Sequence, residues 1–136
     1  MNKIAPYIIV FLCFFCFAKM QAQTYKFKTS GVSELLKKEN GKWGEWSQLE
    51  LVNIPVELDT DRHRIVVYTQ FVQWFDISDY MPAKENDTDI VHSFVCKDNL
   101  GVDCTLSIII RKMQENRKQL YINYDKKVIV YNIFNM

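Results

Sequence analysis

The stretch Asp89–Lys112, DIVHSFVCKDNLGVDCTLSIIIRK, leaves little choice of local structure. Two apolar, β-branched runs flank Asp98-Asn99-Leu100-Gly101, with Gly101 where a positive φ closes a three-residue loop. A β-hairpin is predicted. With Asn99–Gly101 as the loop, paired residue numbers sum to 200, so Cys96 faces Cys104, Phe94 faces Leu106, His92 faces Ile108 and Ile90 faces Ile110. Side chains alternate with period two, so all these even positions share one face. That face is apolar except for His92. A one-residue slip would turn it to solvent, so turn chemistry and hydrophobic pattern select the same register.

The rest of the chain reads the same way. Tyr25–Ser30 alternates aromatic and polar residues, and Val32–Lys38 either continues that strand past Gly31 or forms a helical turn. Asn40-Gly41 is a hairpin signal, and the returning arm carries Trp43, Trp46, Leu49 and Leu51. From Val52 the apolar positions change parity, which with Pro55 predicts a bulge. Asp59–Arg62 turns the chain into Arg64–Thr69, and Phe71–Ile77 follows. After a polar loop over Tyr80–Thr88 come the central hairpin, a polar turn at Gln114–Lys118, and a last hairpin of Leu120–Tyr124 and Val128–Phe134. About eight strands joined by short turns predict an all-β antiparallel meander, curled into a small barrel or two packed sheets so that no long edge stays open.

The first residues predict an address rather than structure. Lys3 precedes the apolar core Ile8–Phe17, which is shorter than the ~20 residues of a spanning helix. Met20-Gln21-Ala22 offers a cleavage site after Ala22, so residues 1–22 read as a signal peptide and 23–136 as a single domain. Cys13 and Cys16 fall within the leader. Removing 22 of 136 residues leaves 114, with 15 Lys and Arg against 16 Asp and Glu, a net charge of −1. That balance gives no electrostatic basis for binding nucleic acid or inserting into an anionic membrane. The expected location is the periplasm or the extracellular medium.

Candidate chemistry is sparse. Cys96 and Cys104 are the two cysteines of the mature chain, and export would place this opposed pair in an oxidising compartment. A bridge there closes a loop whose entropy is worth roughly 2.6 kcal/mol, less because the turn already restrains its ends. The alternative is two buried free thiols. His63 lies in a charged turn, and His92 lies on the apolar face. Nucleophile-elbow, phosphate-loop and His-x-x-x-His patterns do not occur. Glu85–Asp89 alternates oxygen donors without the glycine and closing glutamate of an EF-hand loop, and Asn86-Asp87-Thr88 is formally a glycosylation sequon. No cofactor or metal is expected.

The aromatic residues admit two readings. Trp43, Trp46 and Trp74 either fill the barrel, the better fit for residues of this size, or form a stacking surface for sugars or peptides. The last strand is apolar on both faces, with Val128, Val130 and Phe134 on one and Ile129, Tyr131 and Ile133 on the other. It is either buried on both sides or exposes Ile129, Tyr131 and Ile133 to a partner.

The segments KWGEW at Lys42–Trp46, RIVVY at Arg64–Tyr68, CKDNLGVDC at Cys96–Cys104 and QLYINY at Gln119–Tyr124, with QAQ at Gln21–Gln23, resemble a group of small exported β-proteins of gram-negative anaerobic bacteria. The group has no assigned activity, so the resemblance implies export and a β-fold and carries no site residues. In size and architecture alone the chain is similar to small lipocalin-like or inhibitor-type barrels. The function expected is that of a non-enzymatic binding or accessory protein. It would take a small apolar ligand in a barrel mouth or an unknown protein partner on the last strand. The alternatives are a small periplasmic hydrolase using Asp76, Asp79 or His92, and a structural protein of the cell envelope.

Overall fold

A computed structural model describes residues 23–136; the leader reading, with Cys13 and Cys16, lies outside the described residues. The predicted central hairpin is present with its predicted register. Strands β8 (Asp89–Asp98) and β9 (Asp103–Arg111) pair from Asp89↔Arg111 to Lys97↔Asp103. Gly101 takes φ 81°. The loop closes through Asp98 N–H to Val102 O at 2.9 Å and Gly101 N–H to Asp98 O at 2.9 Å. The Asp98 carboxylate accepts from the Leu100 and Val102 amides at 3.0 and 2.9 Å and from the Tyr124 hydroxyl at 2.8 Å. Partial burial alone would raise its pKa, but these donors and Lys127 outweigh burial and hold it below the ordinary carboxylate value. The Asn40-Gly41 turn uses the same device: Gly41 has φ 82°, and Lys38 N–H donates to Lys42 O at 2.7 Å.

That turn joins the long strand β1 (Thr24–Lys37) to three short strands laid end to end beside it: β2 (Trp43–Trp46), β3 (Glu50–Leu51) and β4 (Pro55–Asp59). Their partner sums climb from 80 at Lys37↔Trp43, through 82 at Gly31↔Leu51, to 83 at Thr24↔Asp59. The parity change at Val52 is one of these slips, and Pro55 opens β4 where the ladder restarts. Val32–Lys37 stays in the strand rather than forming a helical turn, because β11 pairs it on one side and β2 and β3 on the other. Ladders on both edges override the helix propensity of Glu-Leu-Leu-Lys.

The sheet continues through β5 (Arg64–Val67), β6 (Gln73–Tyr80) and the central hairpin, with the two-residue β7 (Lys84–Glu85) beside β8. After a single 3-10 turn, η1 (Lys112–Gln114), come β10 (Arg117–Asn123) and β11 (Lys127–Asn135). β11 pairs with β1 from Phe27↔Asn135 to Leu36↔Lys127. The ring β1-β4-β5-β6-β8-β9-β10-β11 thus closes an antiparallel barrel of eight strands. Its interior is aliphatic and aromatic and close-packed: Val67, Leu106 and Ile122 have no exposed surface.

Two expectations fail here. Ile129, Tyr131 and Ile133 form no exposed patch; they are only 8, 6 and 5% exposed. Pairing with β10 sets their direction, because Ile129 and Tyr131 oppose the inward Ile122 and Leu120. Val130, outward by register, is buried too and shares a groove with Trp46 and Leu49, whereas Phe134 on the same face is exposed, so the strand is covered on both sides only in its middle. The tryptophans, in turn, do not fill the barrel. Trp43 and Trp46 are 43 and 48% exposed, because β2 pairs only with β1 and stands outside the ring. Trp74 is half-buried, with the Arg64 guanidinium 5.5 Å from its ring centroid.

Candidate functional site

The interior does not reach the end of the barrel where β8 begins and β9 ends. Phe27 of β1, Leu58 of β4, Phe94 of β8 and Ile108 of β9 form the floor of a cavity of about 440 Å³. Its rim carries Tyr25, His92, Ile110, Lys118 and Asn135. Strand alternation creates this arrangement. His92 is two residues from Phe94, Ile110 two from Ile108, and Lys118 two from Leu120, so each rim side chain continues an inward-facing row past the packed core. A partly open apolar cleft with a few polar groups at its lip has the form of a small-molecule site.

The remaining candidates are dispersed. Asp76 is engaged by Arg64, with Nε to Oδ1 at 2.9 Å, and neither Asp76 nor Asp79 lines the cavity that holds His92. His63 adopts φ 53° in the β4–β5 turn and hydrogen-bonds through Nδ1 to the Tyr80 hydroxyl at 2.9 Å. In the loop before β8, Asn86 Oδ1 accepts from the Thr88 amide, the Thr88 hydroxyl and the Asp89 amide at 2.8–3.0 Å, which organises that loop as an Asx turn. Among the described residues no three His, Cys, Asp or Glu side chains cluster closely enough to hold a metal ion. No described helix is long and apolar enough to cross a membrane.

Cys96 and Cys104 oppose one another as the register requires, and both are buried free thiols. Burial, then the neighbouring Cys104, pushes Cys96 from 9.0 up to about 12. Burial, then Asp98 and Asp103, pushes Cys104 up to about 11. Both stay protonated at neutral pH, so neither is a ready nucleophile.

The outer face carries a polar ladder. Arg111 donates to Gln119 Oε1 at 3.2 Å, Asp89 Oδ2 at 3.1 Å and the Tyr121 hydroxyl at 3.2 Å. Asn132 Oδ1 accepts from Arg117 at 2.8 Å and Gln119 at 3.1 Å. These groups tie β8 through β11 together, and Arg117, Gln119, Tyr121 and Asn132 among them line the groove beside Trp46.

Of the candidate functional residues read from the sequence, His92 alone lines the cavity, beside Phe94, Ile108 and Ile110 of the same hairpin face. Lys118 escapes notice there because it ends a polar stretch that reads as a turn. The alternation Lys118, Leu120, Ile122 was the available signal. Tyr25, Phe27 and Leu58 join the site only through β1–β4 pairing, and Asn135 only through barrel closure. No protein-family model matches this chain, and no curated protein or solved structure matches it either.

Proposed function

We propose that this chain is an exported, non-enzymatic binding protein that holds a small, largely apolar ligand in the mouth of its barrel. The apolar cavity of about 440 Å³ above the nearly buried Phe27, Leu58, Phe94 and Ile108 carries this reading, because it leaves a cleft of ligand size at the end of the packed core. The partner-docking version on the last strand is set aside, since Ile129, Tyr131 and Ile133 are core. Octan-1-ol, a neutral probe, is expected to bind with Kd of about 1 mM or tighter. Its binding should shift side-chain NMR signals of Phe27, Leu58, Phe94, Ile108 and Ile110. Shifts confined to the outer face near Trp46, or no shifts at all, would overturn the reading.

The export half of the proposal has its own test. In protein from the native host, intact-mass analysis without reductant should find the chain starting at Gln23. It should also be lighter by two hydrogens, from a Cys96–Cys104 bridge made on export, before folding buries the two thiols. A retained leader sinks the export reading, and a full complement of thiol hydrogens sinks the bridge.

A further inference from the structure

We propose that the ligand is an amphiphile with an anionic end, a carboxylate on an alkyl chain, and that Lys118 is its counter-ion; this rests on the mouth being a ligand site. Lys118 opposes Ile110 on β9 and Ile133 on β11, so it rises from the inward row of β10 and is half-buried at the rim. Of the half-buried cations, Arg64, Arg111 and Lys112 pair with Asp76, Asp89 and Glu85 at 2.9, 3.1 and 2.7 Å. Lys28, Lys37 and Lys127 make no ion pair among the described residues, and of the unpaired ones Lys118 alone lines the cavity. Lys118 makes no ion pair among the described residues, and no aspartate or glutamate lines the cavity.

A rim lysine can lay its stem on apolar surface and leave its ammonium in water, which by itself says nothing of a ligand. The convergence adds the rest. The Lys118 ammonium, the His92 imidazole and the Asn135 carboxamide ring one apolar cavity, and each can donate a hydrogen bond. Such a set complements a carboxylate above an alkyl tail. At about 30 Å³ per water-sized group, the cavity of about 440 Å³ has room for about fifteen such groups, enough for an alkyl chain of about eight to twelve carbons with its carboxylate.

The test is calorimetric titration of the folded protein at neutral pH with octanoate, octan-1-ol and octyltrimethylammonium, which share a tail and differ in charge. Octanoate should bind about fivefold more tightly than the alcohol, and the cation most weakly. Lys118→Met should erase the preference for octanoate, and Lys118→Glu should turn it toward the cation. Circular dichroism verifies that each variant is folded, with Lys118→Gln as the substitute for Met if needed. Equal binding of all three probes to the unaltered protein would overturn the anion proposal while leaving the mouth a ligand site. An octanoate preference that survives in Lys118→Met would overturn Lys118 as the counter-ion. If none of the three binds, the ligand-site reading itself falls.

Discussion

Phe75→Ala should lower the free energy of unfolding by about 3–5 kcal/mol, a large share of the roughly 5–15 kcal/mol available to a domain of this kind. Phe75 is 1% exposed in the middle of β6, opposite Ile65 of β5. The closed ring of strands gives its neighbours little freedom to collapse into the space an alanine would leave. Neighbouring Phe71, 84% exposed before the strand begins, is the internal control: Phe71→Ala should change stability by less than about 0.5 kcal/mol. Urea unfolding of both variants measures the difference, with an unchanged slope showing that the same surface is exposed on unfolding. Equal midpoints for the two would mean that β6 does not turn Phe75 into the barrel.

Thr29→Val should cost about 1–3 kcal/mol even though the two side chains have nearly the same shape. Thr29 is 1% exposed, where β1 slips in register between β4 and β11. Its backbone amide donates to Ile54 O at 3.0 Å, and its hydroxyl oxygen accepts from the Ile54 amide at 2.8 Å. The side chain therefore replaces a ladder carbonyl at the slip. Valine removes the acceptor and leaves a partly buried amide unpaired, whereas Thr29→Ser keeps the acceptor and loses only a methyl group. Valine should be the worse replacement in thermal and urea unfolding. A neutral valine would show that Ile54 does not need this partner.

Local signals carried much of this fold. The central hairpin was legible pair by pair, because Gly101 fixed the loop and the even-numbered face fixed the phase. The irregular path beside β1 was legible as a parity change at Val52. The direction of β11 was not, since Val128–Phe134 is apolar on both faces and its own pattern cannot choose between them. The answer lay in its partner: across the turn at Tyr124–Lys126, Ile129 must point with Ile122 and Tyr131 with Leu120. The tryptophans misled for a related reason. Size and hydrophobicity argue for burial, but position outside the ring decides exposure for Trp43 and Trp46. The cavity is least visible, because residues from six strands line it and only closure assembles them.

Closure also determines the order of events when the molecule forms. Phe27 pairs with Asn135, 108 positions later, whereas nearly every other ladder joins neighbours in the sequence. A chain emerging with its N-terminus first can zip up its hairpins one after another, yet β1 keeps an open edge until β11 arrives. The entropy of joining ends so far apart falls on that step, and topologies dominated by distant pairings fold in about milliseconds to seconds rather than microseconds. Throughout that interval the β1 edge and its uncovered apolar face can pair with the same strand of another molecule. Assembly of this barrel is thus a race between its own last strand and a neighbour's, and dilution favours the former.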